Sequence, residues 1–418
     1  MSRFIVRGPA TLNGEIVVRG AKNAALPILV AAAIAPEPVV LSNVPTRLND
    51  VQVQIDTLRH VGISSVMSDD TIRLDPLNVR DTEIPAEMSS KIRYSLLFLG
   101  LLLGKVGHAK ISVPGGCNLG DRKFDIHIAG LRQLGAEVCC EGGFIEARAD
   151  KLIGTDIQFY LPTTSGTENV MIAACFAKGR TRIFNANTRP EVKNLGDFLN
   201  AMGANVIVKN RVVEIEAPKK MHGCEFRIMP GWDEALTYII GAALTGGEIC
   251  VKDFSLEHVR HDVGILKQSG VDVFEWGGSV YASARDRILR PFDLFTGPYP
   301  AVNSDMQPIF ASLASQCQGE SSITDQRFTE RFAYVSELCK LGVDIENYGN
   351  SAIIRGTTRL KGNKVKALDL RCGGALLLAA LKAEGITVID DAYQIGRGYE
   401  DIASKLNALG ADVEQTVG

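Results

Sequence analysis

Charge of one sign is what this sequence most plainly lacks. Lys and Arg total 45 against 48 Asp and Glu, a net of -3. No broad field therefore draws in nucleic acid or an anionic membrane, and an anionic ligand has to be held by a few local cations. Paired cysteine is also missing. The nine cysteines are an odd number without a single C-x-x-C spacing. That argues against a disulfide framework or zinc site and suits a reducing compartment. Cys139 and Cys140 are adjacent and poorly placed to bridge, while Cys175, Cys250, Cys317 and Cys339 lie in apolar runs and are predicted to be buried. No hydrophobic run is long enough to span a bilayer. The apolar stretch from Ala24 to Ala35 follows a strand-like segment and Lys22, so it reads as a buried helix rather than a signal core. The six histidines are scattered with no metal-ligand cluster, and the cytoplasm is the expected compartment.

What the chain does have is a large apolar fraction, 46% of 418 residues, enough for two or three domains. It also has an internal repeat. Leu58 to Gly62, Leu131 to Gly135, Leu199 to Gly203, Leu266 to Gly270, Leu338 to Gly342 and Leu406 to Gly410 share one pattern, at spacings of 67 to 73 residues. Each predicts a helix ending at a glycine, then a strand. An apolar helix precedes each: Asn23–Ala35, Lys91–Leu103, Thr167–Ala177, Asp233–Leu244, Asp305–Gln316 and Arg371–Lys382. These are apolar nearly all round and should be buried. One unit thus reads strand, buried helix, strand, amphipathic helix, strand, strand. The expected fold class is α/β, a two-domain inside-out barrel of six βαβαββ repeats, three per domain, with helices inside and sheets outside. The expected division is 1–20 plus 230–418 as one discontinuous catalytic domain and 21–229 as the other, with the active site in the cleft between them.

Cations and acids stand at the starts of those buried helices. Lys22, Arg93 and Arg371 lie in first turns and Asp305 opens the fifth helix. A helix start already favours anions, so a cation there is locally unfavourable by roughly 0.3–1 kcal/mol. The pattern suggests that a multiply charged ligand offsets this cost. Arg397, flanked by glycines, and Arg331 add two guanidinium groups suited to carboxylate or phosphate. The loop Pro114-Gly115-Gly116-Cys117 offers an exposed thiol, a general acid while protonated and a nucleophile once ionised.

Six motifs together carry a family resemblance: Gly20-Ala-Lys22-Asn23, Pro114-Gly-Gly-Cys117, Arg122-x-x-Asp125-x-His127, Ser304-Asp305-Met-Gln, Asp369-Leu-Arg371 and Arg397-Gly-Tyr-Glu400. The chain resembles the enolpyruvyl transferases from Phe4 to Val413. The resemblance implies transfer of enolpyruvate from phosphoenolpyruvate to a sugar hydroxyl with loss of phosphate. The implied acceptor is a uridine nucleotide sugar, UDP-N-acetylglucosamine in the members most alike, at the first committed step of peptidoglycan synthesis. No cofactor or metal is implied, and a monomer or weak homo-oligomer is expected. By the same resemblance Cys117 protonates C3 or forms a covalent adduct, and Asp305 takes the hydroxyl proton. Lys22, Arg122 and Arg397 hold phosphate, and Arg331 and Arg371 hold the carboxylate. Asn23 orients the sugar and Phe328 lines its pocket. The nucleotide lies against Arg122, Lys123, Phe124, Asp125 and Ile126, with Arg93, Thr164, Ser165 and Gly166 around its diphosphate. His127 is a family position expected to support rather than to react.

Three departures bear on the acceptor. Lys123 follows Arg122 where proline is usual, Arg327 precedes Phe328 where a small aliphatic is usual, and Gly231 follows Pro230 where aspartate is usual. The added positive charge leaves open a more anionic acceptor, such as a uridine monophosphate. A shikimate-type transferase is a further alternative, opposed by the Cys117 loop. A catalytically retired paralogue that binds nucleotide sugars is another, opposed by the intact set Lys22, Cys117, Asp305 and Arg397.

Overall fold

A computed structural model describes residues 2–76, 79–114, 124–328 and 331–416. They form two compact units, one from the span 20–229 and one from 2–19 together with 230–416. The expected loop residues Cys117, Arg122 and Lys123 lie outside the described residues.

In the 20–229 unit, three helices are buried almost throughout: Lys22–Ala32, Leu97–Val106 and Thr164–Ala174. They pack on one another. Sequences such as Leu97-Phe-Leu-Gly-Leu-Leu-Leu have no polar stripe to offer solvent, so such a helix is stable only with apolar neighbours on all sides. Gly100 brings two of them together. A Cβ there would sit 2.5 Å from the Asn169 carbonyl oxygen, so only glycine allows that backbone approach. Three amphipathic helices, Asn49–His60, Asp125–Gln133 and Pro190–Ala201, follow the buried ones. The 230–416 unit repeats the scheme. Trp232–Thr245, Gln307–Ala314 and Leu370–Lys382 are buried and mutually packed, and Arg260–Gln268, Tyr334–Lys340 and Ile402–Ala408 accompany them.

Among the described residues the strands form six four-stranded sheets with one recurring order. Asp156–Gln158 runs parallel to Arg180–Phe184, which pairs antiparallel with Val212–Glu216, and that strand with Asn205–Lys209. Three sheets are completed by strands distant in sequence within their own unit. Glu225–Arg227 pairs with Val39–Ser42, and Asn13–Val17 with Glu248–Lys252. Arg3–Gly8 sits between Gly385–Asp390 and Val413–Thr416. The six repeat glycines, Gly62, Gly135, Gly203, Gly270, Gly342 and Gly410, all have φ between 92° and 101°. Each ends a helix in a conformation that side chains with a Cβ disfavour. No helix among the described residues is long and apolar enough to cross a membrane.

Several helix limits differ from expectation. The second buried helix begins with a tight turn at Arg93–Leu96, not at Lys91, and the fifth with one at Ser304–Met306. The third starts earlier, at Thr164. Cys339 is exposed rather than buried, because it lies on the outer face of the amphipathic helix Tyr334–Lys340.

Candidate functional site

The helix starts gather within each unit. In the 230–416 unit Arg371 is the organising side chain, with 0% of it exposed. Asp369 caps its helix by accepting the backbone N–H groups of Arg371 and Cys372 at 2.7 and 2.9 Å, which sets the first turn. The Arg371 guanidinium pairs closely with Asp233, in the first turn of Trp232–Thr245, and lies 3.5 Å from Asp305 Oδ2. Its planar group also lies 5.3 Å from the Tyr399 ring centroid, a cation–π contact. Asp305 Oδ1 is 2.9 Å from Arg331 Nη2, and the Asp305 backbone N–H donates to Asn303. Asp305 keeps 25% of its side chain exposed while Arg331 is buried. Arg331 Nε and Nη1 are buried and have no hydrogen-bond partner among the described residues. Three buried helices thus begin around one alternating array: Asp233, Arg371, Asp305, Arg331.

Asp325 anchors the adjoining turn. It is fully buried and accepts hydrogen bonds from Ser304 Oγ, Gln307 Nε2 and the backbone N–H groups of Arg327 and Phe328. It therefore fixes where Arg327 and Phe328 stand. The Arg327 guanidinium lies 5.3 Å from the Phe328 ring centroid. Arg397 is a buried side chain whose Nη1 donates to Gln394 at 3.2 Å. Its neighbour Glu400 faces Arg19 at 3.7 Å.

In the 20–229 unit Lys22 Nζ lies 2.9 Å from Asp50 Oδ2, with side-chain exposures of 10% and 8%. Asp50 opens the helix Asn49–His60, so two helix starts meet through this pair. Asn23, next to Lys22, is half-buried. Asn187 Nδ2 donates to Thr164 Oγ1 at 3.1 Å, and His127 Nε2 lies 3.1 Å from Ser165 Oγ. Gly166 is buried, and a Cβ there would strike the Thr163 methyl at 2.4 Å. Phe124 precedes the helix holding Asp125, Ile126 and His127; Asp125 is exposed and accepts from Tyr160 at 2.7 Å, while Ile126 is buried. Burial, then the Arg93 charge, depresses His127 to about 3, so it stays neutral at physiological pH.

The offset expected from a multiply charged ligand is thus supplied in part by the protein itself. Asp50, Asp233 and Asp305 neutralise the cations at the helix starts, because a nearly buried charge needs a partner whether or not substrate is bound. Asp50, Asp233 and Asp325 are not among the site residues that the sequence alone indicates. Their positions did carry a signal: Asp50 and Asp233 stand in first helical turns and Asp325 at a turn start. Among the described residues no three His, Cys, Asp or Glu side chains are grouped to hold a metal.

A second buried acid has no such partner. Glu168 is fully buried, and neither carboxyl oxygen has a hydrogen-bond partner among the described residues. Burial first, and then the Glu191 charge, raise its pKa well above the usual range. The folded state therefore holds this proton more tightly than the unfolded chain, where Glu titrates near about 4.3. The group's contribution to stability is complete below that unfolded value and is lost as pH climbs through the raised one. Glu168→Gln should raise the denaturant midpoint relative to the parent chain at pH 9 more than at pH 5. An equal difference at both pH values would refute the assignment.

The family model for EPSP synthase (3-phosphoshikimate 1-carboxyvinyltransferase) matches residues 6–406. A UDP-N-acetylglucosamine 1-carboxyvinyltransferase from Hydrogenovibrio crunogenus is 40% identical over 415 residues, 99% of each chain. UDP-N-acetylglucosamine 1-carboxyvinyltransferase 1 from Caldanaerobacter subterraneus subsp. tengcongensis is 39% identical over 413 residues, again 99% of each. Among solved structures, the enolpyruvyl transferase NikO from Streptomyces tendae superposes with a TM-score of 0.90 at 23% identity, covering 100% of this chain and 99% of that one. An EPSP synthase from Acinetobacter baumannii gives 0.78 at 17%, covering 100% of both. These two structural matches bear on the fold alone.

Proposed function

The chain belongs to the EPSP synthase family of carboxyvinyltransferases, and on that premise we propose that it moves the enolpyruvyl group of phosphoenolpyruvate to the 3-hydroxyl of UDP-N-acetylglucosamine, releasing phosphate. The observation that carries this choice of acceptor is the near-40% identity, end to end, to transferases of that name. We read each unit as an inside-out barrel, three buried helices within and sheets without, and we place the reaction in the cytoplasm.

The chemistry assigns roles as follows. Cys117 gives its proton to C3 of the enol, making C2 electrophilic. The sugar hydroxyl attacks C2 and passes its proton to Asp305, whose carboxylate is held by Arg331 and Arg371. Lys22, Arg122 and Arg397 hold the phosphate. C3 then returns a proton to the Cys117 thiolate, the C2–O bond to phosphate breaks with its electron pair leaving on the phosphate, and the enol is restored as an ether of the sugar hydroxyl. The Arg331 donors that have no partner among the described residues support its binding the substrate carboxylate, since buried N–H groups left unpaired cost roughly 1–3 kcal/mol each. Arg371, whose Nε and Nη1 are likewise without a partner among the described residues, is the second group to hold that carboxylate. A uridine monophosphate acceptor is the second reading, favoured by Arg327 beside Phe328.

One assay separates these readings. Phosphate release from phosphoenolpyruvate should require UDP-N-acetylglucosamine and stay at background with UMP or shikimate 3-phosphate. Turnover with UMP alone would move the assignment to the second reading. Tight binding of the nucleotide sugar without phosphate release would mark a retired enzyme.

A further inference from the structure

A chain of directed hydrogen bonds runs through the 20–229 unit to Ser165. It starts at the Gly100 backbone N–H, which donates to Asn169 Oδ1 at 2.9 Å. An N–H can only face an oxygen there, so the Asn169 amide orientation is fixed. Its Nδ2 then faces His127 Nδ1 at 3.1 Å and donates to it. Nδ1 must be an acceptor, and a neutral imidazole carries its one proton on Nε2. That N–H lies 3.1 Å from Ser165 Oγ. With its oxygen already receiving, Ser165 has its own proton free to give. His127 is 2% exposed, whereas Ser165, in the first turn of Thr164–Ala174, is half open to solvent.

We propose that His127 is a positioning residue that fixes the Ser165 hydroxyl as a donor to an anionic oxygen of the acceptor substrate. A diphosphate is the chemistry that fits, being charged and acceptor-only; this rests on the nucleotide-sugar reading above. The relay works because every member points the same way, so each bond polarises the next. An imidazolium would break it, placing a donor on Nδ1 against the Asn169 amide. The depressed His127 pKa agrees with a ring that never makes that switch near neutrality.

Steady-state kinetics on the full chain test this. Ser165→Ala should raise KM for UDP-N-acetylglucosamine about tenfold, the low end for a lost hydrogen bond to a charged group. KM for phosphoenolpyruvate should stay within about twofold. His127→Phe should match Ser165→Ala, and the double variant should add nothing, because the ring acts through the hydroxyl. His127→Gln, whose side-chain N–H can stand in for Nε2–H, should restore KM to within about threefold of the parent. Equal rises in both KM values with a lowered melting temperature, or additive effects in the double variant, overturn the proposal. So does an unchanged nucleotide-sugar KM in Ser165→Ala, a half-exposed site whose variant tests the idea even if His127→Phe does not fold. If the parent chain itself releases no phosphate, the functional reading has failed instead. Calorimetric titration of UDP into the parent, Ser165→Ala and His127→Gln chains then still decides the relay: tenfold weaker binding in Ser165→Ala with His127→Gln near parent upholds it, and equal affinities overturn it.

Discussion

Asp305→Asn should lower kcat by about 10²–10⁴-fold, the range of general base catalysis, while the dissociation constant for UDP-N-acetylglucosamine moves by less than about fivefold. The substitution keeps shape and size and removes one negative charge. That charge stands between Arg331 at 2.9 Å and Arg371 at 3.5 Å. The two guanidinium groups hold the carboxylate in one orientation from both of its oxygens. Asparagine would preserve the hydrogen-bonded turn held by Asn303 and offer no base. Rapid-quench measurement of phosphate release, beside calorimetric titration of the nucleotide sugar, separates the two effects. A kcat within tenfold of the parent would remove Asp305 from proton transfer.

The second large effect is expected in stability. Arg371→Leu should cost about 3–5 kcal/mol, the range for breaking a buried ion pair. The reason is Asp233, whose side chain is only 10% exposed and would be left charged without its partner. For a unit of this size the loss corresponds to a melting point lower by roughly 6–20 °C. Replacing both members by leucine should recover more than half of it, because the desolvation cost disappears together with the attraction. Thermal unfolding of the single and double variants decides the matter. If the double variant is no more stable than Arg371→Leu, Asp233 is not the group left stranded, and the pairing with Asp305 carries the energy instead.

Much of the fold could be read in the chain because its signals are local. A helix ending at glycine needs only a few residues to declare itself, and all six such glycines adopt the left-handed φ that the pattern required. Apolar composition on every face told the buried helices from the amphipathic ones in the same way. Helix starts were less legible. Arg93–Leu96 and Ser304–Met306 are tight turns set by what packs on them, which no short window records. The ionic arrangement was the least visible part. Lys22 and Asp50 are 28 residues apart, and Arg371 and Asp233 are 138 apart. A lysine at a helix start can be noticed from sequence, but the acid that answers it cannot be chosen among 48. Cys339 shows the converse failure. An apolar neighbourhood along the chain suggested burial, yet one step around the helix puts the thiol in water.

The order of strands has a consequence for biosynthesis. Every sheet of the 20–229 unit is complete within that span, so it has all its pairing partners as soon as Glu225–Arg227 has been made. The first two strands of the chain are made before it and paired long after it. Asn13–Val17 must wait for Glu248–Lys252, and Arg3–Gly8 for Gly385–Asp390. At ribosomal speeds of about 5–20 residues per second, those delays are roughly ten seconds to over a minute. Throughout that time the leading segment is a tether with open edges, trailing from a neighbour that is free to fold. Nascent-chain helpers that shield extended segments would find their target in those two strands.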